Sequence, residues 1–371
     1  MKIAYDFQIF SLHAYGGISR YIYELAKEIA ITCDQDVRIV APLYINQYLR
    51  QSPETLKITG IPIPRVPKIG RIVSYIDNFL SGPVVRCFHP QIVHETYYSS
   101  RSIAPKYAKV ILTVHDMIHE KFDAHGSMMD TTRRDKSMAV KRADHVICVS
   151  EHTRQDLIEL LDVDPAKTSV VYHGFTMGNQ SKTIKRTIKH DRPFIFYVGS
   201  RGSYKNFDGL LQAYASSPML RNDFDLICFG GGKFTAAERN RFHRLGLGMD
   251  TIHHAHGSDL ILADFYSGAK AFIYPSLYEG FGFPPLEAMN FDCPVVCSKT
   301  SSIPEVVGDA GEYFDPYDID SIRTAIERVV SNDALRNDLI VKGKARLSVF
   351  SWQRCARETL DVYRNEVEGL R

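Results

Sequence analysis

The chain has 371 residues, of which 44% are hydrophobic and 24% charged, with 45 Lys and Arg against 43 Asp and Glu and a formal net charge of +2. This mixed composition excludes a disordered chain, and the small net charge gives no indication of nucleic-acid binding. A chain of this length usually forms two domains, and the sequence contains no run of 18 apolar residues that would predict a membrane-spanning helix.

The seven cysteines include no C-x-x-C pair, and most of them lie in apolar runs. This pattern favours buried thiols in a reducing compartment over disulfides or zinc ligands. The first ten residues, MKIAYDFQIF, have neither a long apolar core nor a small-residue cleavage site, so we expect no signal peptide. The sequence therefore predicts a cytoplasmic protein.

Short runs rich in Val and Ile alternate with amphipathic stretches up to about residue 175. Ser19–Ala30 and Ser150–Leu161 are predicted helices, and Ser150 is a candidate N-cap because Thr153 and Gln155 follow it. Continuous apolar strands that alternate with helices are typical of a parallel sheet covered on both faces. The predicted strands are Lys2–Asp6, Val37–Ala41, Ile92–Glu95, Val110–Val114, His145–Val149 and Ser169–Tyr172.

Residues 176–193 are polar and lack apolar periodicity, which predicts a linker, and the alternation then restarts. The predicted fold class is therefore α/β, with two Rossmann-like domains at 1–175 and 194–352 that face a cleft and bind ligands beyond the carboxyl ends of their strands. The predicted strands of the second half are Phe194–Val198, Asp225–Phe229, Ala271–Tyr274 and Pro294–Cys297. Its predicted helices are Asn206–Ala215, Asp259–Ser267, Pro284–Met289 and Ile319–Ser331.

Charge is divided unequally between the two halves. Residues 1–190 hold 25 Lys and Arg against 19 Asp and Glu, whereas residues 191–371 hold 20 against 24. A basic first half can attract an anionic substrate or membrane surface, although chance asymmetry explains the difference equally well. Residues 65–89 indicate either a membrane-facing or acceptor-facing element or, more simply, a loop and helix packed on the first domain. Their basic residues include Arg65, Lys68, Arg71 and Arg86.

The most informative segment, SLYEGFGFPPLEAM, covers Ser276–Met289 and directly follows a predicted strand. Its two prolines, Pro284 and Pro285, suit the first turn of a helix, where a missing N–H group costs nothing. The segment therefore predicts a strand, a glycine loop and a helix N-terminus, which is a good place for a phosphate. Glu279 on the loop and Glu287 in the helix are expected to face hydroxyl groups, such as those of sugars and riboses.

The E-x7-E spacing within EGFGFPPLEA resembles the signature of retaining family 4 glycosyltransferases of the GT-B fold. The resemblance covers nearly the whole chain, and it implies a final helix within 353–371 that packs on the first domain. The other matching motifs are YGGISR at 15–20, TVHD at 113–116, RADHVICVSEHT at 142–153, YVGSRGSYKN at 197–206, SSIPEVVGDAG at 301–311 and FSW at 350–352.

The resemblance implies a role in binding a nucleotide-sugar for a defined set of residues. Glu287 is implied to bind ribose hydroxyls, Glu279 the hydroxyls of the transferred sugar, and His115 to lie near that sugar. Arg201 and Lys205 are the cations expected to stabilise the departing diphosphate, and Lys205 fits the family pattern better. The implied catalytic residues are His115, Glu279, Lys205 and Arg201. The implied donor-binding residues are Gly16, Gly17, Arg201, Lys205, Gly257, Ser258, Glu279, Gly282, Phe283, Pro284 and Glu287.

Two D-x-D strings, Asp223-Phe224-Asp225 and Asp318-Ile319-Asp320, could in principle hold a metal on a nucleotide-sugar. The first leads into a predicted core strand and the second sits where a helix cap belongs, and two oxygen ligands do not define a divalent site. The triplet Gly230–Gly232 lacks the G-x-G-x-x-G pattern of a dinucleotide fingerprint. We therefore expect no metal and no cofactor.

The resemblance implies a metal-independent hexosyltransferase that retains anomeric configuration by front-face substitution. We favour UDP-glucose as donor with GDP-mannose close behind, and a glycan or lipid-linked saccharide as acceptor. Peripheral association with an anionic membrane is a further expectation, based on the basic first half. Two alternatives stay open on the same fold: a non-catalytic nucleotide-sugar-binding protein and a sugar-nucleotide epimerase.

Overall fold

Two parallel sheets organise the chain, which a computed structural model describes over residues 1–64, 70–122, 131–176 and 192–369. The chain divides into one unit of Met1–Gly174 with Phe350–Arg371 and a second unit of Phe175–Val349. Each unit holds one of the two sheets, and the predicted α/β fold class is confirmed. Residues 177–191 of the predicted linker lie outside the described residues.

In the described part of the first unit, seven parallel strands form the sheet. They are β1 (Lys2–Tyr5), β2 (Asp36–Tyr44), β3 (Lys57–Pro62), β4 (Ile92–Glu95), β5 (Lys109–Val114), β6 (His145–Cys148) and β7 (Thr168–Val170). Their order is β3-β2-β1-β4-β5-β6-β7, so the chain switches direction across the sheet between β1 and β4. The helices are α1 (Gln8–Leu12), α2 (Gly17–Thr32), α3 (Gln47–Arg50), α4 (Gly70–Phe88), α5 (Ile118–Phe122), α6 (Thr132–Arg142) and α7 (Glu151–Leu161).

The described part of the second unit repeats this scheme with six parallel strands. They are β8 (Phe194–Val198), β9 (Asp225–Phe229), β10 (Ile252–Ala255), β11 (Ala271–Tyr274), β12 (Val295–Ser298) and β13 (Gly311–Phe314), in the order β10-β9-β8-β11-β12-β13. The loops that follow β8 and β11 therefore meet at the switch point, where ligands of doubly wound sheets bind. The helices are α8 (Phe207–Ser216), α9 (Pro218–Asp223), α10 (Ala236–Arg244), α11 (Asp259–Gly268), α12 (Phe283–Asn290), α13 (Ile303–Val307), α14 (Ile319–Val330) and α15 (Asp333–Leu347).

Three strands escaped prediction from the sequence: β3, β10 and β13. All three lie at an edge of their sheet and are only partly buried, so they lack the continuous apolar run of the inner strands. The inner strands were predicted to within two residues except β2, which extends to Tyr44. The buried inner strands thus gave the clearest signal, although the partly buried edge strand β7 was predicted as well.

The last helix, α16 (Trp352–Glu368), belongs to the first unit, where it packs against α2. Its Tyr363 hydroxyl lies 3.0 Å from the Tyr5 hydroxyl and 2.5 Å from Nδ1 of His94, so it is tied to β1 and β4. This agrees with the final helix that the family resemblance implies. The predicted cap of α7 is also confirmed, because Ser150 Oγ accepts the backbone N–H of Thr153 at 3.0 Å.

The segment of mixed basic and apolar residues at 65–89 ends in α4, which packs on α1 and β2. Residues 65–69, including Lys68, lie outside the described residues. No helix in the described ranges is long and apolar enough to cross a membrane. Of the seven cysteines, all free, five are buried as expected; Cys33 is half-buried and Cys87 is exposed.

Candidate active site

The Glu279 loop joins β11 to α12 in the second unit. Glu279 is buried, and its backbone N–H donates to Ser301 Oγ at 3.0 Å. Ser302 Oγ donates to the carbonyls of Glu279 and Phe281 at 2.8 and 2.9 Å, so the loop is fixed from two sides. The sequence analysis quoted both serines within a motif but gave them no role.

The helix that follows this loop begins as the sequence predicted. Gly282 adopts a φ of +112°, a conformation that L side chains rarely take, and the first positions of α12 are occupied by proline. Glu287 is the fifth residue of α12, and its Oε2 accepts the hydroxyl of Tyr266 at 3.2 Å. Burial, with a further contribution from Glu287, raises the pKa of Tyr266 well above its usual value, so this hydroxyl stays a donor.

Lys205 follows β8 in a 3-10 turn, Ser203–Lys205, and its Nζ donates to Glu279 Oε1 at 2.6 Å. The ammonium also lies over the rings of Tyr204 and Tyr274, 5.1 and 5.8 Å from their centroids. The pKa of Tyr274 is raised well above its usual value by burial and then by the Glu279 carboxylate. The loops after β8 and β11 thus bring together the cation and the carboxylate that the sequence predicted separately.

Arg201 has a different environment from the one expected of a diphosphate-binding cation. Its side chain is almost completely buried, with Nε donating to Glu238 at 2.5 Å and the guanidinium donating to the carbonyls of Gly230 and Gly232, each at 2.9 Å. These contacts fix the Gly230–Gly232 turn, whose glycines all have positive φ. In this structure the charge of Arg201 is therefore paired with Glu238, and its role towards a diphosphate stays a prediction.

Gly257 and Ser258 lie exposed at the start of α11, where Ser258 is the N-cap residue. A side chain at Gly257 would collide with Ile261, whose Cδ1 would lie 2.6 Å from the added Cβ. The same helix carries Tyr266, the partner of Glu287. Helix α11 therefore begins beside the predicted donor contacts Gly257 and Ser258, and it also holds Glu287, the predicted ribose-binding carboxylate, through Tyr266.

The predicted site residues of the first unit are Gly16, Gly17 and His115. Gly16, the N-cap residue of α2, and Gly17, its first residue, are exposed, and the Gly16 carbonyl accepts Ser19 Oγ at 3.1 Å and the Arg20 N–H at 3.0 Å. A side chain at Gly17 would meet no atom within 4 Å. The loop is thus held by its backbone and leaves open space above Gly17.

His115 follows β5 and is buried against aromatic side chains. Its ring is stacked on His173, with centroids 5.7 Å apart and planes 9° apart, and it meets Tyr21 edge-on at 5.3 Å. Burial lowers the pKa of His115 to about 4, an effect that Asp116 opposes and Lys136 reinforces. The imidazole is therefore neutral near pH 7, and its Nε2 is buried without a hydrogen-bond partner among the described residues.

The loop after His115 is held by a fully buried cation that the sequence analysis missed. Lys136 Nζ donates to the Asp116 carbonyl at 2.8 Å and to Glu120 Oε2 at 2.7 Å, and it lies 5.1 Å from the ring centroid of Tyr98. The Tyr98 hydroxyl in turn accepts the backbone N–H of His115 at 3.2 Å. The position of His115 is thus set by neighbours on several elements, none of which carries a sequence signal of its own.

Neither D-x-D string has the geometry of a metal site. Asp225 is buried at the start of β9, 3.3 Å from His253 and 3.5 Å from Arg192, and Asp318 caps α14 by accepting the backbone N–H groups of Asp320 and Ser321. Across the described ranges, no three His, Cys, Asp or Glu side chains are grouped so as to hold a metal ion.

Two family models match most of the chain. The family model described as Glycosyltransferase Family 4 matches residues 15–177, and that described as Glycosyl transferases group 1 matches residues 179–346. The O-antigen chain mannosyltransferase B of Escherichia coli is 27% identical over 94% of this chain and 96% of its own. A D-inositol 3-phosphate glycosyltransferase of a Nocardioides species is 27% identical over 96% of this chain and 86% of its own.

Solved structures share the fold over the whole length. The sucrose-phosphate synthase of Thermosynechococcus elongatus has a TM-score of 0.76 at 20% identity and covers 100% of both chains. WaaG, a glycosyltransferase involved in lipopolysaccharide biosynthesis, has a TM-score of 0.70 at 16% identity, over 97% of this chain and 99% of its own. Together with the family models, these similarities show that the chain belongs to the family 4 glycosyltransferases of the GT-B fold.

Proposed function

We propose that this glycosyltransferase moves a hexose from a nucleotide diphosphate sugar to a glycan or lipid-linked saccharide, with retention of configuration and without a metal ion. The observation that carries the proposal is the contact of Lys205 with Glu279 at the switch point of the second sheet. A carboxylate there can accept sugar hydroxyls, and a cation beside it can bind the diphosphate.

Donor binding follows from the partners of each side chain. Glu287 accepts ribose hydroxyls, held in place by the Tyr266 hydroxyl. The first turn of α12, after Gly282, offers backbone N–H groups and the positive end of a helix dipole to the diphosphate. When the diphosphate draws Lys205 towards itself, Glu279 becomes available to the hydroxyls of the sugar. Donor binding thus replaces the ion pair of Lys205 and Glu279 with two charge-assisted contacts, one from Lys205 to the diphosphate and one from the sugar hydroxyls to Glu279.

Transfer then needs no covalent intermediate with the protein. The bond between the sugar C1 and the diphosphate oxygen breaks while the acceptor hydroxyl oxygen bonds to C1 from the same face. The departing diphosphate takes the acceptor proton, and Lys205 stabilises the negative charge that develops on it. His115, as a neutral imidazole, binds a sugar hydroxyl through Nε2, which has no hydrogen-bond partner among the described residues, rather than contributing charge.

Mannose is the sugar that the relatives favour. The O-antigen chain relative is named as a mannosyltransferase, and so is the serotype-specific mannosyltransferase WbdA, which is 28% identical over 60% of this chain. We therefore rank GDP-mannose above UDP-glucose, reversing the preference drawn from the sequence alone. The reaction uses a cytosolic co-substrate, and we assign the protein to the cytoplasm.

A donor panel tests this proposal. Purified protein is incubated with EDTA, methyl α-mannoside as a probe acceptor, and either GDP-mannose or UDP-glucose. We expect nucleotide release that depends on acceptor with one donor, and an α-linked product from the α-linked donor by NMR coupling constants. Activity that appears only after manganese or magnesium is added would contradict metal independence. Epimerised donor without a glycoside product would instead favour the epimerase.

A further inference from the structure

The outward face of α4 in the first unit is strongly apolar. Tyr75 and Phe79 are 72% and 80% exposed, and Ile76 and Leu80 are 39% and 42% exposed. Ile76, Phe79 and Leu80 follow Tyr75 by one, four and five residues, and this spacing puts the four side chains on one side of the helix. Soluble proteins rarely leave so many large apolar side chains exposed together unless the patch binds something.

The opposite face of α4 is fixed to the domain, so the apolar face has no alternative position inside the core. Asp77 is fully buried, and its carboxylate accepts the backbone N–H of Leu43 at 2.8 Å and the hydroxyl of Ser11 at 2.6 Å. Val73 and Val85 are buried as well. The helix is therefore held with Asp77 inward and with Tyr75 and Phe79 outward.

Basic side chains lie near the apolar face of α4, and no carboxylate from the described part of α4 lies on that face. Asp77 is the one acidic residue in the sequence of α4, and it points inward. Arg101 lines a groove of about 440 Å³ together with the four apolar side chains, Asn78 and Ser102. Arg86 is exposed two helical turns after Phe79. Arg101 is exposed as well.

We propose that this α4 surface, defined by Tyr75, Ile76, Phe79, Leu80, Arg86 and Arg101, docks on a lipid bilayer that carries anionic headgroups. The aromatic and aliphatic side chains enter the boundary between headgroups and acyl chains, and the arginines bind phosphate oxygens. A second copy of the chain fits less well, because pairing two such surfaces would bring arginine against arginine with no carboxylate between them. The charge complementarity therefore selects a lipid surface.

The α4 surface lies beside an element that leads to the active site. Helix α4 packs on α1, and the loop from α1 to α2 ends at Gly16, directly before Gly17 at the start of α2. Docking through α4 would therefore hold this loop near the bilayer and near any acceptor carried there. The inference does not depend on the transfer reaction, because membrane binding is measured without substrates.

Vesicle flotation of the full chain tests this inference. The vesicles are phosphatidylcholine alone, or phosphatidylcholine and phosphatidylglycerol in equal parts, at low and high salt. One variant combines Tyr75→Ser with Phe79→Ser, and a second combines Arg86→Ser with Arg101→Ser. A matched control combines Tyr317→Ser with Val341→Ser, because these side chains of the second unit are 72% and 68% exposed.

We expect wild type and the control to float with the anionic vesicles at low salt and to be released as salt rises. The arginine variant should lose roughly thirtyfold in partitioning, since each basic residue near an anionic leaflet contributes about fivefold. The aromatic variant should lose about tenfold or more. Wild type that stays with the aqueous phase at low salt would overturn the proposal, as would equal losses in the control variant.

Two further readouts distinguish other occupants. Sedimentation velocity that shows a concentration-dependent dimer, abolished by the Tyr75/Phe79 changes, would identify a second copy as the partner and overturn lipid docking. A raised KM for the water-soluble acceptor in the same variant, with unchanged flotation, would identify a glycan site instead. If wild type floats with the anionic vesicles but has no transfer activity with either donor, the proposed reaction is contradicted and the proposal of membrane binding is not.

Discussion

In the second unit, Lys205 and Glu279 meet as an ion pair 2.6 Å apart where β8 and β11 end. In the first unit, His115 is stacked on His173 and against Tyr21 as a neutral ring whose pKa burial lowers to about 4. The predicted site residues of the second unit thus include an ion pair that an anionic ligand can separate. His115 of the first unit is instead a neutral ring whose Nε2 has no hydrogen-bond partner among the described residues.

This difference divides the chemistry between the two units. Stabilising a departing diphosphate requires a cation, and a desolvated imidazole with a pKa of about 4 cannot supply one near pH 7. Lys205 can, and the rings of Tyr204 and Tyr274 hold its ammonium in place. Arg201 is held more tightly, because Glu238 and the glycine carbonyls bind its guanidinium, and its diphosphate role stays a prediction.

Removal of the Lys205 charge is expected to have the largest effect. Lys205→Ala should lower kcat at saturating donor by about a hundredfold to a thousandfold, because the charge acts mainly in the transition state, with a smaller change in donor affinity. Steady-state kinetics with the preferred donor measures this. Lys270→Ala, at an exposed lysine of the same unit, is the matched control. A variant with normal kcat and only a raised KM would show that Lys205 merely binds.

Nucleotide affinity should depend on Glu287. Glu287→Ala should weaken binding of both the free nucleotide and the nucleotide-sugar by about 1–3 kcal/mol, the cost of losing a charged hydrogen bond. Tyr266→Phe removes only the hydroxyl that holds Glu287 and should cost less, about 0.5–1.5 kcal/mol. Titration calorimetry compares them, and equal affinity for Glu287→Ala and wild type would remove Glu287 from the donor site.

The neutral state of the His115 cluster predicts a particular pH dependence of stability. Burial lowers the pKa of both His115 and His173, so the unfolded chain binds more protons than the folded one once the pH falls below about 6.5. Below about pH 6.5, the free energy of unfolding should therefore decrease as the pH falls, by up to about 1.4 kcal/mol per pH unit for each histidine.

His173→Phe keeps a ring beside His115 but cannot take up a proton. Chemical denaturation at pH 7 and pH 5 should show that this variant loses less stability than wild type on acidification. Parallel losses in the two proteins would mean that His173 is charged or solvated in the folded state, and the contrast between the two units would weaken.

The smallest effect concerns Asp77, the buried carboxylate that anchors α4. Burial raises its pKa to about 6, so the folded state favours the protonated form and stability is lost as pH rises from about 4 through 6. Asp77→Asn removes this titration. The free energy of unfolding of the variant, taken relative to wild type, should therefore be about 1 kcal/mol higher at pH 8 than at pH 4, as measured by denaturant unfolding. A variant with the same pH dependence as wild type would show that another group controls it.

The fold, and the positions of Lys205 and Glu279 at strand ends, could be predicted from the sequence for identifiable reasons. The strands β8 and β11 are continuous apolar runs, so the loops carrying Lys205 and Glu279 could be located at their carboxyl ends. The two prolines and Gly282 marked the start of α12. The half-exposed edge strands gave no comparable signal, and they were missed.

The surroundings of each site residue could not be predicted, because they depend on tertiary packing. Tyr21, His173 and Trp352 are far apart in the sequence and meet only in the folded first unit. Nothing in the segment around Arg201 indicates that Glu238, 37 residues later, would bind its guanidinium. Motifs thus identify which residues are present at a site, whereas their charge state and partners require the structure.

The central claim is that the second unit binds the sugar of the donor through Glu279, and calorimetry on one variant tests it most directly. Wild type should bind GDP-mannose more tightly than GDP, and the difference measures the contribution of the sugar. Glu279→Gln should lose most of this difference, while its affinity for GDP stays within about threefold of wild type, since an amide cannot replace the charged acceptor. If Glu279→Gln distinguishes GDP-mannose from GDP as well as wild type does, Glu279 does not bind the transferred sugar and the account is wrong.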